Sequence, residues 1–336
     1  MALDIAEIPE VARHQISEGL DFYFEEGTRI AELAPPVIVT CARGTSHCAA
    51  TYFKYLVETG LGLPVASIGP SISSVYGARM RLPGSVCITV SQSGASPDLV
   101  AMQACAIAGG AKSLAVVNQT ESPVARDAER AIPILAGPER AVAATKTFIA
   151  SLIALCGLYA GMSGSRELAE SLQQLPDALA KTWDSDWSSA FDQFAGVGHL
   201  FVISRGVGLA IAQEAALKLK EMCGVHAEGI SSAEILHGPV ALADDGMPVL
   251  AFVPDDAGQR AVLESVQILE QGGASVICVG NGLERSPFLP VPQSSHPAFT
   301  PICQIACFYG FAEALAGRLG ANPDTHHRLS KVTRTI

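Results

Sequence analysis

Short, almost unbroken apolar runs alternate with longer amphipathic stretches along nearly the whole chain. Runs such as Val37-Ile38-Val39 and Val86-Cys87-Ile88 do not alternate apolar with polar, which is the pattern of strands buried on both faces of a parallel sheet. Strands are expected near residues 37–41, 64–68, 85–90, 113–117 and 131–134, and again near 199–203, 225–227, 247–252, 275–279 and 288–291. Helical patterns predict helices over 46–60, 97–109, 143–161, 208–222, 258–272 and 301–319, with a leading amphipathic helix in 1–34. The stretch 166–195 reads as a polar helical connector broken at Pro176, and the polar 321–336 as an irregular tail.

The elements repeat. Val37-Ile38-Val39 leads into Arg43-Gly44-Thr45 as Leu200-Phe201-Val202-Ile203 leads into Arg205-Gly206-Val207, with 162 residues between Arg43 and Arg205. Gly109-Gly110-Ala111 and Gly272-Gly273-Ala274 each precede a strand and lie 163 residues apart. Agreement within one residue at two separated anchors points to a duplicated domain. The expectation is an α/β chain with tandem domains over 35–165 and 196–320, each a parallel sheet flanked by helices.

Composition narrows the function. The net charge of −11 argues against general nucleic-acid binding, which needs a basic footprint. An acidic protein that takes an anionic substrate must do so with local donors. Hydrophobic residues reach 49%, but the longest apolar stretch, 148–158, is short of a membrane span and reads as a buried helix. The acidic start MALDIAEIPE lacks the features of a secretory signal, so a cytoplasmic protein without membrane partners is expected. The nine cysteines sit in apolar contexts with no CxxC, as reduced core residues rather than disulfides or metal ligands.

Two places carry candidate chemistry. Strand 85–90 runs into Ser91-Gln92-Ser93-Gly94-Ala95-Ser96-Pro97-Asp98, a hydroxyl-rich turn followed by a helix with Pro at its first position. Ser96 can cap that helix, while Ser91, Ser93 and the exposed N–H groups can bond phosphate oxygens. The turn Gly44-Thr45-Ser46 supplies a second donor set at the end of an adjacent strand. Neither turn matches a Walker or GxGxxG pattern. The corresponding second-half loops, Pro254-Asp255-Asp256 and Arg205-Gly206-Val207, are acidic or poor in hydroxyls, so an anion site would belong to the first half. Capping alone would also explain Ser-rich turns.

The second place is EAALKLKEMCGVHAEGISSAEILHGP, residues 214–239. On a helix over 211–223, Glu214, Lys218 and Glu221 fall at i, i+4 and i+7 on one face, with His226 and His237 beyond it. Charged residues are only 16% of the chain, so the stripe stands out. It suits proton transfer, and it equally suits ordinary ion pairing along a helix.

Taken together, Gly44-Thr45-Ser46, Ser91-Gln92-Ser93-Gly94, Ala143-Ala144-Thr145-Lys146, the 214–221 stripe, His226-Ala227-Glu228, the 234–239 segment and Leu329-Ser330-Lys331 resemble the sugar isomerase (SIS) superfamily. The resemblance is to the double-SIS isomerase half of glutamine–fructose-6-phosphate aminotransferase, in order along 37–336. It implies two flavodoxin-like three-layer sandwiches and a homodimer acting on a sugar phosphate without a cofactor or metal. By resemblance, Gly44, Thr45, Ser46, Ser91, Gln92, Ser93 and Ser96, with Ala144 and Lys146, hold the sugar phosphate. Glu221 moves a proton between C1 and C2, and His237 opens the sugar ring in the neighbouring subunit. Lys218 lies beside the substrate hydroxyls, Lys331 can form an imine with the keto sugar, and Glu214 and Glu228 support. The N-terminal glutaminase domain of those synthases has no counterpart here, and Ala95 and Ser96 stand where they carry Glu-Thr. The expectation is therefore a stand-alone deaminase/isomerase releasing fructose 6-phosphate and ammonia from glucosamine 6-phosphate. A synthase-like aminotransferase and a non-catalytic sugar-phosphate sensor are the alternatives.

Overall fold

The computed structural model describes residues 1–244, 246–280, 288–324 and 331. The chain opens with two helices, α1 (Ala2–Ala6) and α2 (Ile8–Glu32), where one was expected over 1–34. The interruption follows from Pro9, which has no N–H to give to the carbonyl of Ile5.

The first half then alternates β1 (Ile38–Cys41), α3 (Gly44–Leu61), β2 (Val65–Ser67), α4 (Ser71–Ser74), β3 (Val86–Ser91), α5 (Pro97–Ala108), β4 (Lys112–Val117), α6 (Pro123–Asp127) and β5 (Arg130–Pro133). It closes with α7 (Lys146–Ser163) and α8 (Arg166–Leu172). The connector continues as α9 (Leu175–Ala180) and α10 (Phe191–Phe194) with 3-10 turns between them. Pro176 lies in the first turn of α9, so it starts a helix rather than breaking one. The second half is β6 (His199–Ser204), α11 (Leu209–Cys223), β7 (His226–Ser231), β8 (Pro248–Phe252), α12 (Gln259–Gln271), β9 (Ser275–Val279), β10 (Phe288–Leu289) and α13 (Thr300–Arg318).

All ten expected strands form, in two parallel sheets ordered β2-β1-β3-β4-β5 and β10-β9-β8-β6-β7. Read from the other edge, the second order is the first with each strand replaced by its repeat, as a duplication requires. The sequence reading undershot β7, placed at 225–227, because Glu228 and Gly229 are poor strand formers. Pairing with β6 through Ser231 overrides that local preference.

The described residues fall into two compact units. One holds 10–139, 146–173 and Lys331; the other holds 1–9, 140–145 and the described part of 174–327. In the first unit a core of Val39, Cys87, Ala115, Leu99 and Met102 packs α5 on one face of the sheet. In the second, Phe201, Ile203, Val249, Ala251 and Cys278 pack against Val262, Val266 and Leu269 of α12. The segment Pro297–Arg318 and helix α7 are long and apolar enough to cross a membrane, but 83% and 89% of those stretches are buried inside the fold. They are core helices, as expected for 148–158. All nine cysteines are free and eight are buried, with burial pushing the Cys87 thiol up to about 11 and that of Cys156 up to about 12.

Helices α2 and α7 meet at two glycines. A Cβ on Gly161 would run into the carbonyl of Phe24, and one on Gly27 into the carbonyl of Leu158. Gly310, in the middle of α13, has open space where its Cβ would be. Gly161→Ala is therefore expected to lower stability by ~2 kcal/mol or more through backbone displacement, and Gly310→Ala to raise it by ~0.5–1 kcal/mol. Urea unfolding of the two variants checks the pair, and equal effects would refute the close approach.

Candidate active site

In an open parallel sheet of order 2-1-3-4-5 the chain reverses direction between β1 and β3, and the loops leaving those strands border a crevice. The first of these loops is shorter than expected. Gly44 has φ +51° and already belongs to α3, so Thr45 and Ser46 lie in the first helical turn, where backbone N–H groups have no intrahelical acceptor. In the second loop the N–H of Gly94 donates to Ser91 Oγ at 3.0 Å, and that of Ala95 to Ser93 Oγ at 3.4 Å. Both hydroxyl oxygens act as acceptors inside the loop, and each keeps its own O–H as a donor. Gln92 holds the loop to β4 through its carbonyl, which accepts from the N–H of Asn118 at 3.2 Å.

Ser96 occupies the N-cap position of α5, but its side chain makes no capping hydrogen bond, contrary to expectation. In that first turn the carboxylate of Asp98 accepts the N–H of Leu99 at 2.9 Å. At the equivalent place in the second unit, the carboxylate of Asp256 accepts the N–H of Gly258 at 2.7 Å, just ahead of α12. Each helix start thus carries one of the chain's own carboxylates.

Sequence reasoning missed two partners in the first unit. Arg43, the N-cap of α3, donates from Nε to Asp98 Oδ2 at 3.0 Å, and Asp98 is fully buried in the first turn of α5. This pair ties the two loops together. Glu139, 8% exposed, accepts the N–H of Thr147 at 3.2 Å, the Thr147 hydroxyl at 2.6 Å and Lys331 Nζ at 3.4 Å. Lys331 is therefore anchored near the start of α7, and the flanking tail residues 325–330 and 332–336 lie outside the described region. Lys146, the first residue of α7, is buried, and Ala144 is half-buried.

In the second unit the charged stripe lies on α11 as expected, and its environment is not that of an exposed helix face. Lys218 and Glu214 are fully buried, with Lys218 Nζ 3.4 Å from Glu214 Oε1 and 2.5 Å from Glu221 Oε2. Tyr309 of α13 donates to Glu214 Oε1 at 3.0 Å. A buried ammonium between two carboxylates is not surface ion pairing. Only Glu221 reaches solvent, with 23% of its side chain exposed. Tyr309 gave no signal in the sequence, since it sits in the apolar stretch 305–312.

The remaining candidates lie elsewhere in this unit. β7 alternates its side chains, and Gly229 faces α11 so closely that a Cβ would strike the backbone of Ala212 and Gln213. Glu228, like His226 and Ile230, therefore faces the opposite side, toward α12. It is exposed there and does not brace the Lys218–Glu221 pair. His237 follows a 3-10 turn, Glu234–Leu236, whose Ile235 and Leu236 pack into the same α12-side core. Within one unit the sheet stands between His237 and Glu221. Among the described residues, no three His, Cys, Asp or Glu side chains come together in a way that could hold a metal ion.

The SIS domain profile matches residues 35–159 and 193–286. The isomerizing glutamine–fructose-6-phosphate aminotransferase of Methanothermobacter thermautotrophicus is 32% identical over 98% of this chain, which spans 56% of that protein. The corresponding Brucella abortus enzyme is 32% identical over 83% of the chain, with 48% of its own length matched. The chain thus spans about half the length of the curated relatives it matches. Among solved structures, a Silicibacter pomeroyi DSS-3 chain provisionally described as a phosphosugar isomerase superposes with TM-score 0.91 at 40% identity, covering 96% of this chain and 98% of that one. The C-terminal domain of the Francisella tularensis glucosamine-fructose-6-phosphate aminotransferase gives 0.87 at 25% identity, covering 96% and 97%.

The buried stripe makes a stability prediction. Lys218→Met should lower the unfolding free energy by ~3 kcal/mol, because it leaves the carboxylate of Glu214 inside the core without its ammonium. Arg260→Gln, which breaks an exposed pair with Glu264 on α12, should leave the melting curve in place. Thermal and urea unfolding of both variants separates a buried ionic core from a decorative one.

Proposed function

The chain belongs to the SIS domain family, and on that premise we propose that it is a cytoplasmic amino-sugar-phosphate deaminase/isomerase. It would convert glucosamine 6-phosphate and water to fructose 6-phosphate and ammonia. The observation that carries this reading is Glu221, a partly exposed carboxylate with Oε2 tied to the buried Lys218. A base that must take a proton from one carbon and return it to the next needs a fixed carboxylate with an oxygen facing the substrate.

In the proposed sequence, His237 moves a proton from the anomeric hydroxyl to the ring oxygen and so opens the sugar. Glu221 removes the C2 proton of the open-chain aldose, giving an enolamine, and redelivers it to C1. Water adds to the resulting C2 imine and ammonia leaves, which gives the ketose. Lys331 can take the place of ammonia at C2 as an imine that water then hydrolyses. Lys218 holds Glu221 in position, and Glu214 with Tyr309 holds Lys218. Gly44, Thr45, Ser46, Ser91, Gln92, Ser93 and Ser96, with Ala144 and Lys146, are proposed to hold the sugar phosphate.

We propose a homodimer in which His237 serves the neighbouring chain. What supports this is the sheet of the second unit, which lies between His237 and Glu221 of the same chain. A sheet between two side chains keeps them beyond hydrogen-bond reach of a shared proton. The similarity to isomerizing aminotransferases favours a second reading, in which the same residues run the reaction from fructose 6-phosphate with ammonia as donor.

Two measurements test the proposal. Purified protein given glucosamine 6-phosphate should release ammonia and fructose 6-phosphate, and turnover no higher than that of Glu221→Gln would sink the deaminase reading. Product formation only in the reverse direction would select the second reading. Chains carrying Glu221→Gln and His237→Ala should each be inactive alone. When unfolded and refolded together they should recover about a quarter of wild-type activity, because half of the dimers then contain one complete site. No recovery would place both residues in one chain's site.

A further inference from the structure

We propose that Arg43 is the cation that recognises the phosphate of the substrate, with Asp98 as the residue that positions it. This deepens the phosphate-loop assignment above and rests on it. Apart from Lys146, which is buried at the start of α7, the residues assigned to the sugar phosphate, Gly44, Thr45, Ser46, Ser91, Gln92, Ser93, Ser96 and Ala144, are all neutral. They offer hydrogen bonds but no charge to a dianion, in a chain whose net charge is −11. The local field has to come from somewhere close.

Arg43 directly precedes Gly44-Thr45-Ser46, and its side chain is 51% exposed. Its Nε is engaged by Asp98 Oδ2 at 3.0 Å, and Asp98 has no solvent exposure. Asp98 Oδ1 accepts the N–H of Leu99 at 2.9 Å, so the carboxylate is itself fixed. A guanidinium held at Nε keeps its two terminal nitrogens in one plane, with four N–H donors able to meet phosphate oxygens in a forked geometry. The anchor thus pre-orders the group before substrate arrives.

His47, one turn further along α3, does not duplicate this charge. Burial, and then the positive charge of Arg43, lower its pKa, so its imidazole is neutral at pH 7. The duplicated half supplies an internal comparison. Arg205 repeats Arg43, with the same extended backbone ahead of a positive-φ glycine. The position equivalent to Asp98, second in α12, is Arg260. Arg205 turns instead to Ser231 Oγ at 3.2 Å, and Asp256 fills the start of that helix. The Arg–Asp pair of the first unit is missing from the second.

The competing account is that Arg43 only neutralises a buried Asp98, in which case its loss would cost stability without changing anion recognition. Inorganic phosphate separates the two. Its affinity is measured by calorimetry and as inhibition of turnover, alongside KM and kcat for the sugar phosphate and the melting temperature. Arg43→Gln is expected to weaken inorganic phosphate ~tenfold or more and to raise KM by a similar factor, well beyond any fall in kcat. Arg43→Lys, which keeps the charge but not the fork, should lose ~threefold, and it carries the test if the Gln variant fails to fold. Asp98→Asn should also weaken phosphate, since the guanidinium is then unanchored. Phosphate affinity within twofold of wild type in the Arg43 variants, with a lowered melting temperature, overturns the proposal. Wild-type protein that binds neither inorganic phosphate nor sugar phosphate overturns the phosphate-loop reading itself and this inference with it.

Discussion

Parallel strands cannot be joined by a tight turn, so each connection must travel back the length of the sheet before the next strand begins. That constraint accounts for most of what is seen here. It forces helices onto both faces, and so demands the apolar runs of β1, β3, β6 and β8, buried on either side. It gathers the loops that leave the strands at one edge and the helix ends that re-enter them at the other. Because the first strand of each half pairs with the second and the third, the loops after β1 and β3 diverge around a crevice. Hydroxyls, helix N-termini and the Arg43–Asp98 pair all collect there. The second half obeys the same rule, with Asp256 accepting the N–H of Gly258 just ahead of α12.

The charged stripe of the second half lies elsewhere. Helix α11 runs antiparallel to the strands, and Glu221 lies in its last turn, two residues before Cys223 ends the helix ahead of β7. This is the amino end of the sheet, away from the loops that open α/β sheets ordinarily use. The departure has a price in folding terms: Lys218 and Glu214 are buried together to hold one partly exposed acid. Burying an ion pair is rarely the most stable solution for a core. Retaining it is easier to understand where a fixed carboxylate has work to do than where stability alone is at stake.

Much of this was legible along the chain. The strand runs, the 162-residue repeat and the i, i+4, i+7 spacing of Glu214, Lys218 and Glu221 are short-range patterns, and the structure follows them. The misreadings were also local in origin. Pro9 split a helix that amphipathicity alone had extended, and Glu228-Gly229 hid the second half of a strand that pairing with β6 enforces. Ser96 has the residue type of a cap and the position of a cap, yet leaves the helix uncapped.

The sequence by itself determined the fold class, the duplication and the face on which the charged stripe would lie, because these depend on periodicity and on residues within a few turns of one another. It could not determine which of those charges would be buried, or who would meet them. Tyr309 reaches Glu214 across 95 positions, Arg43 meets Asp98 across 55, and Lys331 meets Glu139 across 192. Such pairs are set by which strand lies beside which and by which face a helix covers. The same packing put His237 and Glu221 on opposite sides of one sheet, although only sixteen residues separate them in the chain. Proximity along the backbone proposed a single cluster, and the sheet between them divided it.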